Sequence, residues 1–167
     1  AVTFTNKAAR EMRDRLERLL GTLVTGITCG TFHAFCVSIL RQDGHHLGLD
    51  RSFVIYDQDD QTRLLKRAME EANIDPRRYP VGAVRNAISK AKSSLLDLTA
   101  YSSTVGSYYE EVVLRAYERY QGLLSQSKAV DFDDLLMLVG HLFQRYPDVL
   151  DRYRSRYLHL LVDEFQD

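Results

Sequence analysis

Tyr157-Leu-His-Leu-Leu-Val-Asp-Glu-Phe-Gln-Asp167 decides the fold: an apolar run that ends in two adjacent carboxylates, Asp163 and Glu164. It reads as a strand, Leu158 to Val162, that delivers both acids to its C-terminal end. Ligands of open α/β sheets bind outside the carboxyl ends of the strands. A carboxylate placed there can hold Mg²⁺ against nucleotide phosphates while its neighbour handles a water. No G-x-x-x-x-G-K-[ST] phosphate loop occurs in the 167 residues. Half of a nucleotide site is therefore expected here, and half is not.

Working outward, the N-terminal stretch repeats one plan twice. Val2 to Thr5 reads as a strand end, followed by a helix stripe of Ala9, Met12, Leu16, Leu19 and Leu20 that Gly21 stops, with Thr5 or Asn6 as the cap. Ile27 to Cys29 then reads as a short strand, Gly30-Thr31 as a turn, and Phe32, Phe35, Cys36, Ile39 and Leu40 as the next helix stripe. Two strand-turn-helix units in succession predict parallel strands.

From about residue 44 the pattern becomes helical for a hundred residues, with Phe53 to Tyr56 the one strand signal. Asp57 with Asp60 opens a helix carrying Leu64, Leu65, Ala68, Met69 and Ala72. Another follows Pro80, the longest spans about Val105 to Gln126, and Asp131 caps a last one ending before Pro147. The chain is thus expected to be α/β but predominantly helical, with few parallel strands and a large all-α insertion at 46–146. The core would comprise 1–45 and 147–167.

Composition fits an ordinary globular protein, 45% hydrophobic and 27% charged, without a run long enough for a membrane helix. A cytoplasmic location is the expectation. Cys29 and Cys36 lack a second Cys pair or a His cluster and read as buried thiols. The net charge is −1, but it is uneven: residues 63–92 hold eight basic against three acidic, and 129–167 four against eight. A basic flank beside an acidic end fits a nucleic-acid partner and equally fits solvated helix faces.

Three segments in order, Val2-Thr-Phe-Thr-Asn-Lys-Ala-Ala-Arg-Glu-Met12, Gly30-Thr-Phe-His-Ala-Phe35 and Leu161-Val-Asp-Glu-Phe-Gln-Asp167, closely resemble the UvrD/Rep/PcrA DNA helicases of superfamily 1. Val130-Asp-Phe-Asp-Asp-Leu-Leu136 and Ile88-Ser-Lys-Ala-Lys92 resemble further segments of that family. The resemblance implies part of a P-loop NTPase (RecA-like) motor that hydrolyses ATP with Mg²⁺ and moves 3′ to 5′ on single-stranded DNA. It would open duplex at single-strand/double-strand junctions in repair or replication.

By this resemblance Asp163 coordinates Mg²⁺, Glu164 positions or deprotonates the attacking water, and Gln166 senses the γ-phosphate. Phe4 would stack on a base, which suits a translocating motor because every base has a π face. Thr5, Asn6, Thr31 and His33 would meet DNA phosphates at two helix starts, where backbone N–H groups favour anions. Lys92, with Lys90 and Arg85, would face the DNA from the helical insertion. Asp131, Asp133 and Asp134 read as a helix cap and first turn rather than a second metal site. Without a phosphate loop the chain is expected not to turn over ATP by itself. A subunit of a RecB/AddA-type helicase-nuclease is an alternative, as is a noncatalytic helicase-like DNA-binding or interaction module.

Overall fold

The computed structural model describes residues 1–164. Its N-terminal unit is built from two short strands, each feeding a capped helix. Strand β1 (Val2–Thr3) leads to Thr5, whose hydroxyl accepts from the Ala8 N–H at 3.1 Å and opens helix α1 (Asn6–Leu20). Gly21, at φ 54°, ends that helix in a conformation side-chain-bearing residues disfavour. Strand β2 (Gly30–Thr31) leads to helix α2 (Phe32–Asp43), with Thr31 capping the Ala34 N–H at 3.2 Å.

β1 and β2 pair in parallel, Val2 opposite Gly30 and Thr3 opposite Thr31, and Val2 bridges Val162 in parallel on its other edge. The parallel arrangement is the expected one, but two strand positions differ. The second strand lies at Gly30–Thr31 rather than Ile27–Cys29, because pairing with β1 starts where the Gly30 N–H reaches the Ala1 carbonyl. The expected strand Leu158 to Val162 contributes Val162 alone, bonded through the Leu161 carbonyl and the Asp163 N–H to the two polar groups of Val2. With only two residues in β1 to pair against, Leu158, Leu160 and Leu161 stay exposed.

Strand β3 (Val54–Ile55) follows, then helices α3 (Gln58–Glu71), α4 (Val81–Ser93), α5 (Leu98–Ser102) and α6 (Tyr108–Gln126). Strand β4 (Ala129–Val130) pairs in parallel with β3 and leads to helices α7 (Phe132–Arg145) and α8 (Pro147–Arg156). A reciprocal cap starts α3 (Asp57 with Asp60), as its spacing predicts, and Asp131 caps α7 as expected, with Asp134 answering it in a second reciprocal cap. Pro147 does more than stop α7. It occupies the first turn of α8, where its missing N–H costs nothing, and that helix was not anticipated.

The apolar stripes close two cores. Leu65, Met69, Val84, Ile88, Val113 and Tyr117 join α3, α4 and α6. Ile39, Leu40, Phe53, Leu135, Leu142 and Val149 join α2, α7 and α8. Each fully buried aliphatic side chain contributes about 1.5–3 kcal/mol relative to exposure. Helix α7 is the seam, packing on α2 and also against α4. By contrast α1 buries no residue, and its Leu19 and Leu20 face solvent. No helix among the described residues is long and apolar enough to cross a membrane.

Candidate nucleic-acid interface and strand-end carboxylates

Three helix starts meet on one side of the molecule, and each presents an aromatic residue. Phe4, between β1 and the cap of α1, is 48% exposed and lies 5.1 Å, centroid to centroid, from Phe32 in the first turn of α2. His33, next to Phe32, meets Phe132 edge-on at 5.4 Å. Phe132 opens α7 and is 43% exposed. Rings from three elements thus stand in sequence, Phe4–Phe32 and His33–Phe132, partly open to solvent.

Between the first two helix starts lies a cleft of about 530 Å³ lined by Asn6, Arg10, Arg13, Gly30 and Thr31 among others. Arg13 donates to the Cys29 carbonyl at 2.8 Å, which fixes one guanidinium on the wall of the cleft. Helix N-termini carry partial positive charge and unsatisfied N–H donors, so the cleft combines two arginines with two anion-favouring termini. The hydroxyls of Thr5 and Thr31 are already engaged as caps. Phe32, Phe132, Arg10 and Arg13 were not singled out from sequence. The signal for Phe132 was available in its place directly after a helix cap, where a core-facing residue is not required.

The cations expected on the helical insertion divide. Lys90 is exposed. Arg85 is partly buried and donates to the Thr62 hydroxyl at 3.1 Å. Lys92, expected to face DNA, is instead fully buried, with its Nζ 2.7 Å from Asp131 and 2.8 Å from Asp134. Burial opposes its charge, but the two carboxylates outweigh that and hold its pKa above the ordinary lysine value. A cation so enclosed has no path to a phosphate, contrary to the expectation that Lys92 faces DNA.

On the opposite edge of β1, Asp163 follows the Val162 bridge and accepts from the buried Thr3 hydroxyl at 3.2 Å. Asp163 and Glu164 are both exposed, and Glu164 adopts φ 54°. A cavity of about 870 Å³ opens beside Asp163, lined by Met12, Arg15, Leu16, Ile27 and Leu161 among others. Adjacent hard oxygen donors at an exposed strand end fit Mg²⁺, which takes one or two carboxylates and keeps several waters for phosphate oxygens to replace. Among the described residues no cluster of three or more potential metal ligands occurs. Gln166 lies outside the described residues.

A family model described as the UvrD/REP helicase N-terminal domain matches residues 1–167, the whole chain. The chain belongs to this helicase family. It is 42% identical over 167 residues to a Bacillus subtilis protein named ATP-dependent DNA helicase PcrA, and 45% over 168 residues to the one from Leuconostoc citreum. A Staphylococcus aureus protein of that name is 40% identical over 167 residues. All three matches take in the full chain but only 23%, 22% and 23% of the relative, so this UvrD/REP-family chain spans under a quarter of each.

Proposed function

We propose that the chain supplies one wall of a single-stranded DNA track, and the metal-binding strand end, of an ATP-dependent 3′–5′ DNA helicase. The observation that carries this reading is the row of partly exposed rings at three converging helix starts, flanked by the Arg10–Arg13 cleft. Phe4 and Phe132 offer π faces to successive bases, while Asn6, His33 and the two arginines hold phosphates without reading sequence. The N–H groups of the first turns, beside Thr5 and Thr31, add to that hold.

In this reading residues 1–45 and 147–167 belong to a RecA-like motor domain and 46–146 to its helical insertion, with α7 as the seam. Asp163 holds Mg²⁺, which supplies charge neutralisation to the phosphates when bound. Glu164 orients or deprotonates the attacking water, and Gln166 reports on the γ-phosphate. Thr3 links the two sides, since its hydroxyl bonds Asp163 and its neighbour is Phe4. The parent protein would act at single-strand/double-strand junctions.

Fluorescence anisotropy of a labelled oligothymidylate, titrated with the chain at low and moderate salt, tests this. Weak, salt-sensitive binding that Phe4→Ala and Phe132→Ala each reduce is the expected result. Binding indifferent to both rings, or none by a folded sample, would overturn the placement of the track on this chain.

A further inference from the structure

The buried Lys92 network has no task in that reading, yet it is the largest concentration of enclosed charge among the described residues. Lys92 comes from α4, Asp131 and Asp134 from the start of α7, and Tyr120 and Gln121 from α6. The Tyr120 hydroxyl donates to Asp131 at 2.9 Å, and the Gln121 amide donates to Asp134 at 3.2 Å. Asp131 caps the Asp134 N–H at 2.8 Å, and Asp134 accepts from the Asp131 N–H at 3.1 Å. The ammonium also lies 5.2 Å from the Tyr120 ring centroid and 5.6 Å from that of Tyr117.

Enclosing one cation with two carboxylates is a poor route to stability, because desolvation offsets most of the attraction and an apolar core of the same volume does as well. What such a network does supply is direction. It accepts one arrangement of three helices, in which Asp131 and Asp134 both point at Lys92. Phe132 sits between those two acids and points the other way, to solvent and the His33 edge. Rotating the first turn of α7 by one residue would swing Phe132 by about 100° and break the row of rings. Asp133, on the same turn, lies near His33 and is held above its ordinary pKa, first by burial.

We propose that Lys92 is a positioning residue for the DNA track: within the helical insertion it ties α4 and α6 to the start of α7 and so holds Phe132 in line with His33, Phe32 and Phe4. This rests on the proposed function for what the row of rings does, but not for how Phe132 is held.

The test places 4-fluorophenylalanine at position 132 and compares the chain with Lys92→Met and with Lys92→Met/Asp131→Asn/Asp134→Asn. The triple variant leaves no uncompensated buried charge and keeps side chains able to cap α7. Fluorine spectra are read without DNA, and oligothymidylate binding is read across a salt series. In folded Lys92→Met the fluorine resonance should shift or broaden. Affinity should fall by about fivefold, the loss of one base stack, with the salt slope unchanged. An unchanged resonance in both variants overturns the proposal. So does a slope shallower by about 0.7, because that is the signature of a lost phosphate contact on a single strand. If Lys92→Met does not fold, the triple variant is read in its place, and failure of both to fold assigns the network to overall stability and overturns positioning. Should the unmodified chain not bind DNA, the functional reading falls, while the fluorine comparison still decides whether Lys92 positions Phe132.

Discussion

Truncating Phe4 to alanine isolates the contribution of one ring to DNA binding. Phe4 is 48% exposed, and its other side leans on Phe32 at 5.1 Å. One ring face is therefore open to a base. A full base–aromatic stack is worth about 1–3 kcal/mol, and a ring half covered by protein belongs in the lower part, about 1–2 kcal/mol. That converts to a dissociation constant raised by about 5- to 30-fold. The fold should survive the change, since the loss is mainly the Phe4–Phe32 pair, about 0.5–1.5 kcal/mol, not a core cavity. Anisotropy with labelled oligothymidylate gives the affinity, and repetition across salt gives the slope. Phenylalanine carries no charge, so the slope should not move. An affinity within about twofold of the parent chain would refute the stacking argument, since that is under half the smallest change a stack predicts. A changed slope would mean that the substitution had disturbed the arginine cleft instead.

Asp131→Ala removes the cap of α7 and leaves Lys92 facing Asp134 alone. Lys92 keeps Asp134 as its partner, so the loss expected in urea denaturation is that of the cap plus the acceptor of the buried Tyr120 hydroxyl, about 2–4 kcal/mol, and a loss near 1 kcal/mol would show that the cap is all Asp131 supplies. Lys128 ends α6 at φ 48°, a left-handed position that glycine fills more easily. Its ion pair with Asp50 is exposed and contributes little. Lys128→Gly should thus raise the melting temperature, by up to about 1 kcal/mol of stability, and a lower melting temperature would contradict the strain argument. Burial pushes the Cys36 thiol up from 9.0 to about 11, so the folded chain keeps a proton that the unfolded chain releases in between. Its contribution is fully present below pH 9.0 and is lost as pH rises to about 11. The urea midpoint of the chain should fall more steeply across that window than that of Cys36→Ala, and parallel curves would argue against it.

What could be read from sequence was what rests on local chemistry. The Asp57–Asp60 and Asp131–Asp134 caps are spaced so that one turn of helix satisfies them, and both are present. Apolar stripes such as Leu65–Ala68–Met69 required only a face to bury, and they found one. β4 was missed because a two-residue strand has no periodicity and exists only through β3, more than seventy residues earlier. Phe4 and His33 were legible as ring-bearing residues at helix starts; Phe132 offers the same signal directly after its cap, but the acids on either side drew the reading to the cap. Lys92 misled for a related reason. A lysine among polar residues reads as surface, and its burial depends on Asp131, 39 positions away.

β1 lies between two partners that are far apart in sequence, Gly30–Thr31 and Val162, and this predicts an order for folding. Ala1 and Thr28 are 27 positions apart, whereas Thr3 and Asp163 are separated by 160. Closing the longer loop costs about 1.5 kcal/mol more in chain entropy if both start from a disordered chain. Helices formed in between shorten the effective loop, so the strand end docks only after the helical cores have condensed. The Asp163 amide, bonded to the Val2 carbonyl at 3.0 Å with little packed around it, should then exchange with deuterium well before the amides of α6. Equal protection would mean that the two ends fold as one unit with the cores. On this prediction the carboxylates are the last part of the described chain to be built and the first to be released.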